Sequence, residues 1–118
     1  MANQQVRQAK LTEVFYALAD PTRRAIVGLL GRGPASVSEL AAPHAMALPS
    51  LMKHLGVLER SGVIRSSKLG RVRTCELRPH TLAGAESWMV QQRALWEARS
   101  DRMAEFVEQR HRKEQEHV

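Results

Sequence analysis

Proline and glycine divide the first two thirds of this 118-residue chain into short segments, which limits the folds that it can form. Asp20-Pro21 combines an N-cap residue with a proline suited to the first helical position, and it predicts the start of a helix. Gly31 to Pro34 reads Gly-Arg-Gly-Pro, a breaker that predicts the end of that helix. Ser36 and Glu39 have the spacing of a capping box, which predicts a short third helix. The chain is therefore expected to begin with short helices joined by turns.

The segment from Pro49 to about Arg60 has the most informative helical pattern. Proline suits the first position of a helix, and Ser61-Gly62 suits its end. At about 100° per residue, three leucines of this segment fall on one side and predict a buried stripe. They are Leu51, Leu55 and Leu58. The opposite side includes Lys53 and consists of short, weakly polar and cationic residues. We expect it to bind a partner outside the domain.

Two β-compatible runs and a long helix follow. Residues 63–67 and 71–77 surround Lys68-Leu69-Gly70 and predict a hairpin with a glycine turn. A last helix is predicted from about Leu82 to Arg110, and a first helix before Asp20 from apolar residues at helical spacing. The predicted fold is mainly α with a small β-hairpin, in the order α-α-α-α-β-β-α. This is the order of a winged helix-turn-helix domain, here spanning residues 1–110 and followed by a charged tail over residues 111–118.

The charge is concentrated in the middle of the chain. Eighteen Lys and Arg residues against twelve Asp and Glu give a net charge of +6, which indicates nucleic acid or an anionic membrane surface as partner. Residues 47–78 contain seven of the basic residues, two acidic residues and no aromatic residue. Because single-stranded nucleic acids are bound by stacking bases on aromatic side chains, this segment favours duplex DNA.

Other features exclude several classes of protein. The chain is too short for a multi-domain enzyme, and we find no nucleophile triad or paired-carboxylate pattern, so an enzyme is not expected. Its one cysteine, Cys75, excludes an internal disulfide framework and predicts a small buried residue. The polar start and the lack of a long apolar stretch predict a cytoplasmic protein. No cofactor is predicted.

The winged helix-turn-helix pattern assigns the DNA-binding residues. Ser50 and Lys53 are expected to reach base edges in the major groove, while the hairpin cations attract phosphates regardless of sequence. The predicted DNA-contacting set is Leu48, Pro49, Ser50, Met52, Lys53, His54, Arg65, Lys68, Arg71 and Arg73. The alternative is a solvated basic hairpin beside an ordinary core helix.

The last helix carries an apolar stripe that is too long for a small domain to cover. A helix of about 43 Å is expected from its length at 1.5 Å per residue. We predict that a second copy of the chain covers the stripe, which would make the protein a homodimer. The predicted interface consists of Phe15, Tyr16, Trp88, Leu95, Trp96, Arg99, Met103 and Phe106. Packing within one chain and a ligand pocket under the tryptophans are the alternatives.

Several runs together resemble the ArsR/SmtB family of bacterial winged-helix repressors. They are LADPTRRAI from Leu18, SELA from Ser38, LPSLMKHLGVLERSGVI from Leu48, and Gly70-Arg71. The resemblance covers roughly residues 11 to 108. It implies a homodimer that represses its own or neighbouring genes by occupying a promoter operator, expected to be an imperfect inverted repeat, and that is released by a signal. Met52 departs from the small hydroxyl residue common in the family at this position.

The resemblance also locates the family's metal sites, and this sequence lacks their ligands. Where family members have cysteines on the third helix, this chain has Ser36, Ser38 and Ala41, and a hydroxyl is a poor ligand for soft metals. On the last helix, Asp101-Arg102-Met103 lacks the histidine of the family's Asp-x-His pair. His111, Glu114 and His117 have ligand chemistry but lie in the charged tail. We therefore predict no metal site, and the sequence names neither operator nor inducer.

Two other functions fit parts of the sequence. A sequence-independent nucleoid protein would use the same basic segment, and a small-ligand or protein-interaction module would use the tryptophan-lined helix. The first would bind all duplexes equally at matched salt. The second would not need the basic segment.

Overall fold

The computed structural model describes residues 2–116, with side chains from residue 5 onwards. It forms two compact units, one ending at Ala85 and the other beginning at Glu86. The elements of the described chain are α1 (Ala2–Leu18), α2 (Pro21–Leu30), β1 (Ala35–Ser36), α3 (Val37–Ala41), α4 (Leu48–Arg60), β2 (Ile64–Leu69), β3 (Val72–Leu77) and α5 (Pro79–Glu116). The mainly α fold with a small sheet is confirmed.

The predicted starts of α2 and α3 are confirmed by their caps. The carboxylate of Asp20 accepts a hydrogen bond from the Arg23 backbone N–H at 3.0 Å, and Pro21 occupies the first turn of α2. At α3 the Ser36 hydroxyl accepts from the Glu39 N–H at 3.2 Å, while the Glu39 carboxylate accepts from the Ser36 N–H at 3.1 Å. These backbone and hydroxyl contacts lower the pKa of Glu39. Both bonds of the predicted capping box are therefore present.

The sheet has one strand more than the sequence predicted. Strands β2 and β3 pair antiparallel and are joined by the two-residue turn Gly70-Arg71, where Gly70 has a φ of +63°. The two-residue strand β1 pairs with the other side of β3, with Ala35 opposite Cys75. A strand this short shows no alternating pattern, so sequence periodicity does not reveal it. The order β1-β3-β2 connects the hairpin to the start of α3.

One hydrophobic core holds the first unit together. The leucine stripe of α4 is buried as predicted, and Cys75 on β3 is 1% exposed. Full burial of a leucine or isoleucine side chain contributes about 1.5–3 kcal/mol relative to exposure. The core consists of Val14, Ala17, Ile26, Leu30, Leu40, Leu51, Leu55, Leu58, Val63, Ile64, Cys75 and Ala85.

Helix α5 is longer than predicted. It begins at Pro79 rather than Leu82 and continues to Glu116 rather than Arg110, so residues 111–116 of the predicted tail are helical. His117 lies outside the described residues. Most residues of this segment have a high helix propensity, so the helix continues through them although no apolar stripe marks it. Among the described residues, no helix is both long and apolar enough to cross a membrane.

Two glycine substitutions are expected to change stability in opposite directions. Gly62 has a φ of +81°, so Gly62→Ala is expected to destabilise the protein by about 1–2 kcal/mol. Gly28 lies within α2, and a Cβ there meets nothing within 4 Å, so Gly28→Ala is expected to stabilise by about 0.5–1 kcal/mol. Urea denaturation at one fixed protein concentration measures both changes. An unchanged or higher stability of Gly62→Ala would contradict the left-handed turn, and a lower stability of Gly28→Ala would contradict the open space around Gly28.

Candidate nucleic-acid interface

Helix α4 presents its polar side outward because its leucines anchor the other side. Lys53 and Ser50 are exposed, as are Pro49 and Leu48, the last at 57%. Met52 is partly buried against the core. The predicted base-reading residues therefore lie on an accessible helix, which is the arrangement that insertion into a major groove requires.

The hairpin carries cations whose arrangement costs stability in the free protein. Lys68 on β2 lies directly opposite Arg73 on β3, and both are exposed. Like charges directly opposite each other on a sheet are destabilising. Arg71 adds a third exposed cation in the turn. Within the described chain none of these three forms an ion pair, so their charge is available to an anionic partner.

Arg65 differs from the other hairpin cations because it has a carboxylate partner. It forms an ion pair with Glu76, the residue directly opposite it on β3. The other acidic residue of the basic segment, Glu59, accepts a hydrogen bond from the Ser66 hydroxyl at 2.7 Å. Both acids therefore stabilise the base of the hairpin. Because Glu76 offsets its charge, Arg65 is expected to attract a phosphate less strongly than Lys68, Arg71 and Arg73 do.

Arg23 is a buried residue that the sequence-based site prediction missed. Its side chain is 9% exposed, and Nε donates to the Ala17 carbonyl at 2.7 Å while Nη2 donates to the Tyr16 carbonyl at 3.0 Å. Its Nη1 lies 3.3 Å from Nδ1 of His54 on α4. Its guanidinium also lies over the Tyr16 ring, 5.3 Å from the centroid. Arg23 thus links the end of α1, the start of α2 and the side of α4.

Asp20 supplies the carboxylate nearest to this cluster. The backbone N–H of Arg23 lowers the pKa of Asp20, and the nearby charges of His54 and Arg23 lower it further against an opposing effect of burial. Asp20 Oδ2 is 3.8 Å from His54 Nδ1. The cap of α2 therefore also contributes negative charge beside Arg23 and α4.

Cys75 lies beside a small cavity between α4 and the hairpin. The cavity has a volume of about 40 Å³, room for one or two water molecules, and Met52, Glu59 and Arg73 are among the residues that line it. Burial raises the pKa of the Cys75 thiol, and the Glu59 charge raises it further. A thiol with a raised pKa is a poor nucleophile. The structure therefore supports the prediction that Cys75 is a small core residue.

The predicted dimerisation residues fall in both units. In the first unit Phe15 is partly buried against the core, and Tyr16 is 64% exposed. In the second unit Trp96 is 67% exposed and Arg99 is also exposed. The other exposed apolar residues of that unit's predicted set are Trp88, Leu95, Met103 and Phe106. Within the described chain the second unit buries none of its residues, so its aromatic surface is accessible in a single copy.

The positions considered for metal binding have other roles in the structure. Ser36 is the N-cap of α3. His111 is exposed and contacts Gln115 at 3.2 Å, one turn along α5. Among the side chains of residues 5–116, no group of three or more His, Cys, Asp or Glu residues is placed to hold a metal ion.

Comparison with known proteins identifies relatives that regulate transcription. Residues 18–67 match a family described as a helix-turn-helix domain. The chain is 31% identical over 80 residues to the transcriptional repressor SdpR of Bacillus subtilis, covering 68% of this chain and 89% of SdpR. The crystal structure of an ArsR family transcriptional regulator is 56% identical with a TM-score of 0.73, covering 76% of this chain and 93% of that chain. These similarities cover most of each relative.

A third relative shares the fold at lower identity. The solution structure of a homodimeric winged helix-turn-helix DNA-binding domain, Mb0332 from Mycobacterium bovis, has a TM-score of 0.65 and 21% identity. The match covers 80% of this chain and 90% of that chain. The winged helix-turn-helix architecture predicted from the sequence is therefore confirmed.

Removing the guanidinium of Arg23 is expected to destabilise the fold more than removing that of its neighbour. Arg23→Met leaves two carbonyls and an imidazole nitrogen without their donor, at an expected cost of about 2–3 kcal/mol. Arg24→Met is the matched control, because Arg24 is exposed and its guanidinium, within the described chain, donates to the Leu18 carbonyl alone, at 2.9 Å. We expect it to cost about 0.5 kcal/mol or less. Chemical denaturation measures the free energy of unfolding of both variants. Equal decreases would show that the buried contacts of Arg23 add no more stability than the exposed contact of Arg24.

Proposed function

This chain belongs to the ArsR/SmtB family and is a sequence-specific DNA-binding transcriptional regulator, and we propose that it acts as a homodimeric repressor of its own or adjacent genes. The observation that carries the proposal is the exposed cationic surface of α4 and the hairpin. Four cations on this surface have no ion pair within the described chain. They are Lys53, Lys68, Arg71 and Arg73.

In the proposed binding mode α4 contacts the bases and the hairpin contacts the phosphates. Ser50 and Lys53 contact base edges in the major groove, where each base pair presents a distinct pattern of donors and acceptors. Lys68, Arg71 and Arg73 bind phosphates, which supplies affinity and register without reading sequence. Arg65 contributes less because it is paired with Glu76. The remaining predicted contacts, Leu48, Pro49, Met52 and His54, flank the base-reading pair.

Dimerisation would give the regulator two copies of α4. The support for it is the series of large apolar side chains that the second unit exposes, since clustered exposed apolar residues are typical of an interaction surface. The homodimeric state named for the Mycobacterium bovis domain is consistent with it. A two-fold dimer places its recognition helices in successive major grooves, about one helical turn apart. We therefore propose an operator that is an imperfect inverted repeat.

We further propose that the releasing signal is not a metal bound at the positions known from the family. Ser36 and Ser38 offer hydroxyls in place of thiolates, and the Ser36 hydroxyl is already engaged as a helix cap. Asp101 lacks a following histidine at the family's spacing. Since the DNA of a bacterial cell is in the cytoplasm, the proposed site of action is cytoplasmic.

The proposed function is tested by comparing two duplexes at matched salt. One duplex carries the promoter region upstream of the gene for this chain, and the other has the same length and composition in random order. A sequence-specific repressor is expected to bind the promoter at least about 10³-fold more tightly. Equal affinities would instead favour a nucleoid protein, and no binding of either duplex would favour a protein-interaction or ligand-binding module.

Lys53→Ala and Arg71→Ala are expected to weaken DNA binding in different ways. Lys53→Ala should reduce promoter affinity more than random-duplex affinity, because it removes a base contact. Arg71→Ala should weaken both duplexes about equally and lower the slope of log affinity against log salt by about one unit for each phosphate that is no longer neutralised. Lys113→Ala, an exposed substitution in the second unit, is the control and should change neither. Identical effects of the first two variants on both duplexes would contradict the assignment of Lys53 to bases and of Arg71 to phosphates.

Trp96→Ser is expected to weaken dimerisation. Burying an exposed tryptophan at an interface commonly contributes about 2 kcal/mol, so the dimer dissociation constant should rise at least about thirtyfold. Glu105→Ser in the same unit is the control, since Glu105 is exposed and outside the apolar stripe. Sedimentation equilibrium measures both constants. An unchanged constant for Trp96→Ser would remove this residue from the interface.

A further inference from the structure

His54 is the residue of α4 whose protonation site is determined by its neighbour. Its Nδ1 lies 3.3 Å from Nη1 of Arg23. A guanidinium has five N–H donors and no acceptor, so this contact is a hydrogen bond only when Nδ1 is unprotonated. In a neutral imidazole one nitrogen carries the proton and the other accepts. The neutral ring of His54 therefore carries its proton on Nε2.

The surroundings of Arg23 keep this arrangement in place. The guanidinium is fixed by its bonds to the Ala17 and Tyr16 carbonyls, at 2.7 and 3.0 Å. The nearest carboxylate oxygen, Asp20 Oδ2, is 3.8 Å from His54 Nδ1, which is beyond hydrogen-bond range. That same oxygen already accepts from the Arg23 backbone N–H. Arg23 is thus the group that orients the imidazole ring.

The other edge of the ring is available to a ligand. Within the described chain the Nε2 of His54 has no hydrogen bond, and the side chain is 22% exposed. His54 follows Ser50 by four residues, so the two lie one above the other on the same side of α4. Ser50 is exposed and belongs to the surface proposed to enter the major groove. The Nε2–H donor therefore lies beside that surface.

We propose that His54 donates its Nε2–H to a DNA backbone phosphate at the edge of the major groove, and that Arg23 is the positioning residue that sets this tautomer. The inference rests on the proposed DNA binding. A neutral donor adds register and affinity but releases no counterion, unlike the hairpin cations proposed to bind phosphates. It would fix the rotation of α4 about its axis relative to the phosphate backbone, and thereby the side chains that face the bases.

The first test needs no DNA. Long-range ¹H–¹⁵N correlation spectra of the free full-length protein at about pH 8, where imidazole is ordinarily neutral, distinguish the two tautomers. We expect the Nε2–H form for His54. In Arg23→Met, which removes the donor that faces Nδ1, the two forms should become mixed. A dominant Nδ1–H form in the wild-type protein would overturn the inference, whatever the DNA-binding result.

The second test separates the two edges of the ring with two substitutions. His54→Asn keeps an acceptor near the position of Nδ1 but has no donor near Nε2, whereas His54→Gln keeps a donor near Nε2 but has no acceptor near Nδ1. For a duplex carrying the chain's own promoter region, we expect His54→Asn to bind about tenfold more weakly, with an unchanged salt slope. His54→Gln should bind more tightly than His54→Asn although its fold is less stable. His80→Asn is the matched control, an exposed histidine outside α4 and the hairpin, and should bind as the wild type does.

The outcomes distinguish this inference from the proposed function. If wild-type protein prefers its promoter and His54→Asn binds equally well, the phosphate contact is wrong and the proposed function stands. A salt slope reduced by about one unit per site in His54→Asn would also overturn the inference, because it would identify a charged imidazolium contact. If His54→Asn does not fold, protection of the wild-type Nε2 proton from exchange on addition of the promoter duplex gives the same information. No preference of the wild type for its promoter contradicts the proposed function itself.

Discussion

A single buried guanidinium joins the three helices on which the DNA-binding surface depends. Burying a cation costs free energy unless it finds hydrogen-bond partners, and each of the three guanidinium nitrogens of Arg23 has one on the end of α1 or the side of α4. The carbonyls at the end of a helix carry partial negative charge, so they stabilise the cation without a direct ion pair. Hydrophobic packing alone is non-directional. The hydrogen bond from Arg23 to His54 depends on direction, so it restricts the orientation of α4 more closely than the packing of its leucines does.

Features that cost stability are concentrated on the surfaces assigned to binding. Lys68 and Arg73 repel each other across the hairpin, and Trp96 and Phe106 expose aromatic surface to water in the second unit. Where the hairpin meets the core, by contrast, Arg65 is neutralised by Glu76. Binding a polyanion would remove the repulsion between the two cations, and contact with another apolar surface would remove the exposure of the aromatic residues. A protein that binds DNA as a dimer is expected to have unpaired cations on one surface and exposed apolar residues on another, as this chain does.

Local signals predicted the starts of α2 and α3 and the exposed side of α4 well, because each depends on residues close in sequence. Asp20 and Ser36 cap the helices that they were predicted to cap, and the leucines of α4 are buried. The role of Arg23 was missed because its partners lie six, seven and 31 residues away and two of them are backbone carbonyls. Strand β1 was missed because two residues carry no periodicity. The length of α5 was underestimated since its exposed last turns have no apolar pattern.

The central claim, that two copies of α4 read one operator, is tested most directly by hydroxyl-radical footprinting on the promoter region upstream of the gene for this chain. We predict two protected segments related by an inverted repeat, with centres about one helical turn or 10–10.5 base pairs apart. The segment between them should remain open to cleavage where the duplex faces away from the protein. Uniform protection without boundaries, or a single protected segment with no symmetry-related partner, would contradict the claim.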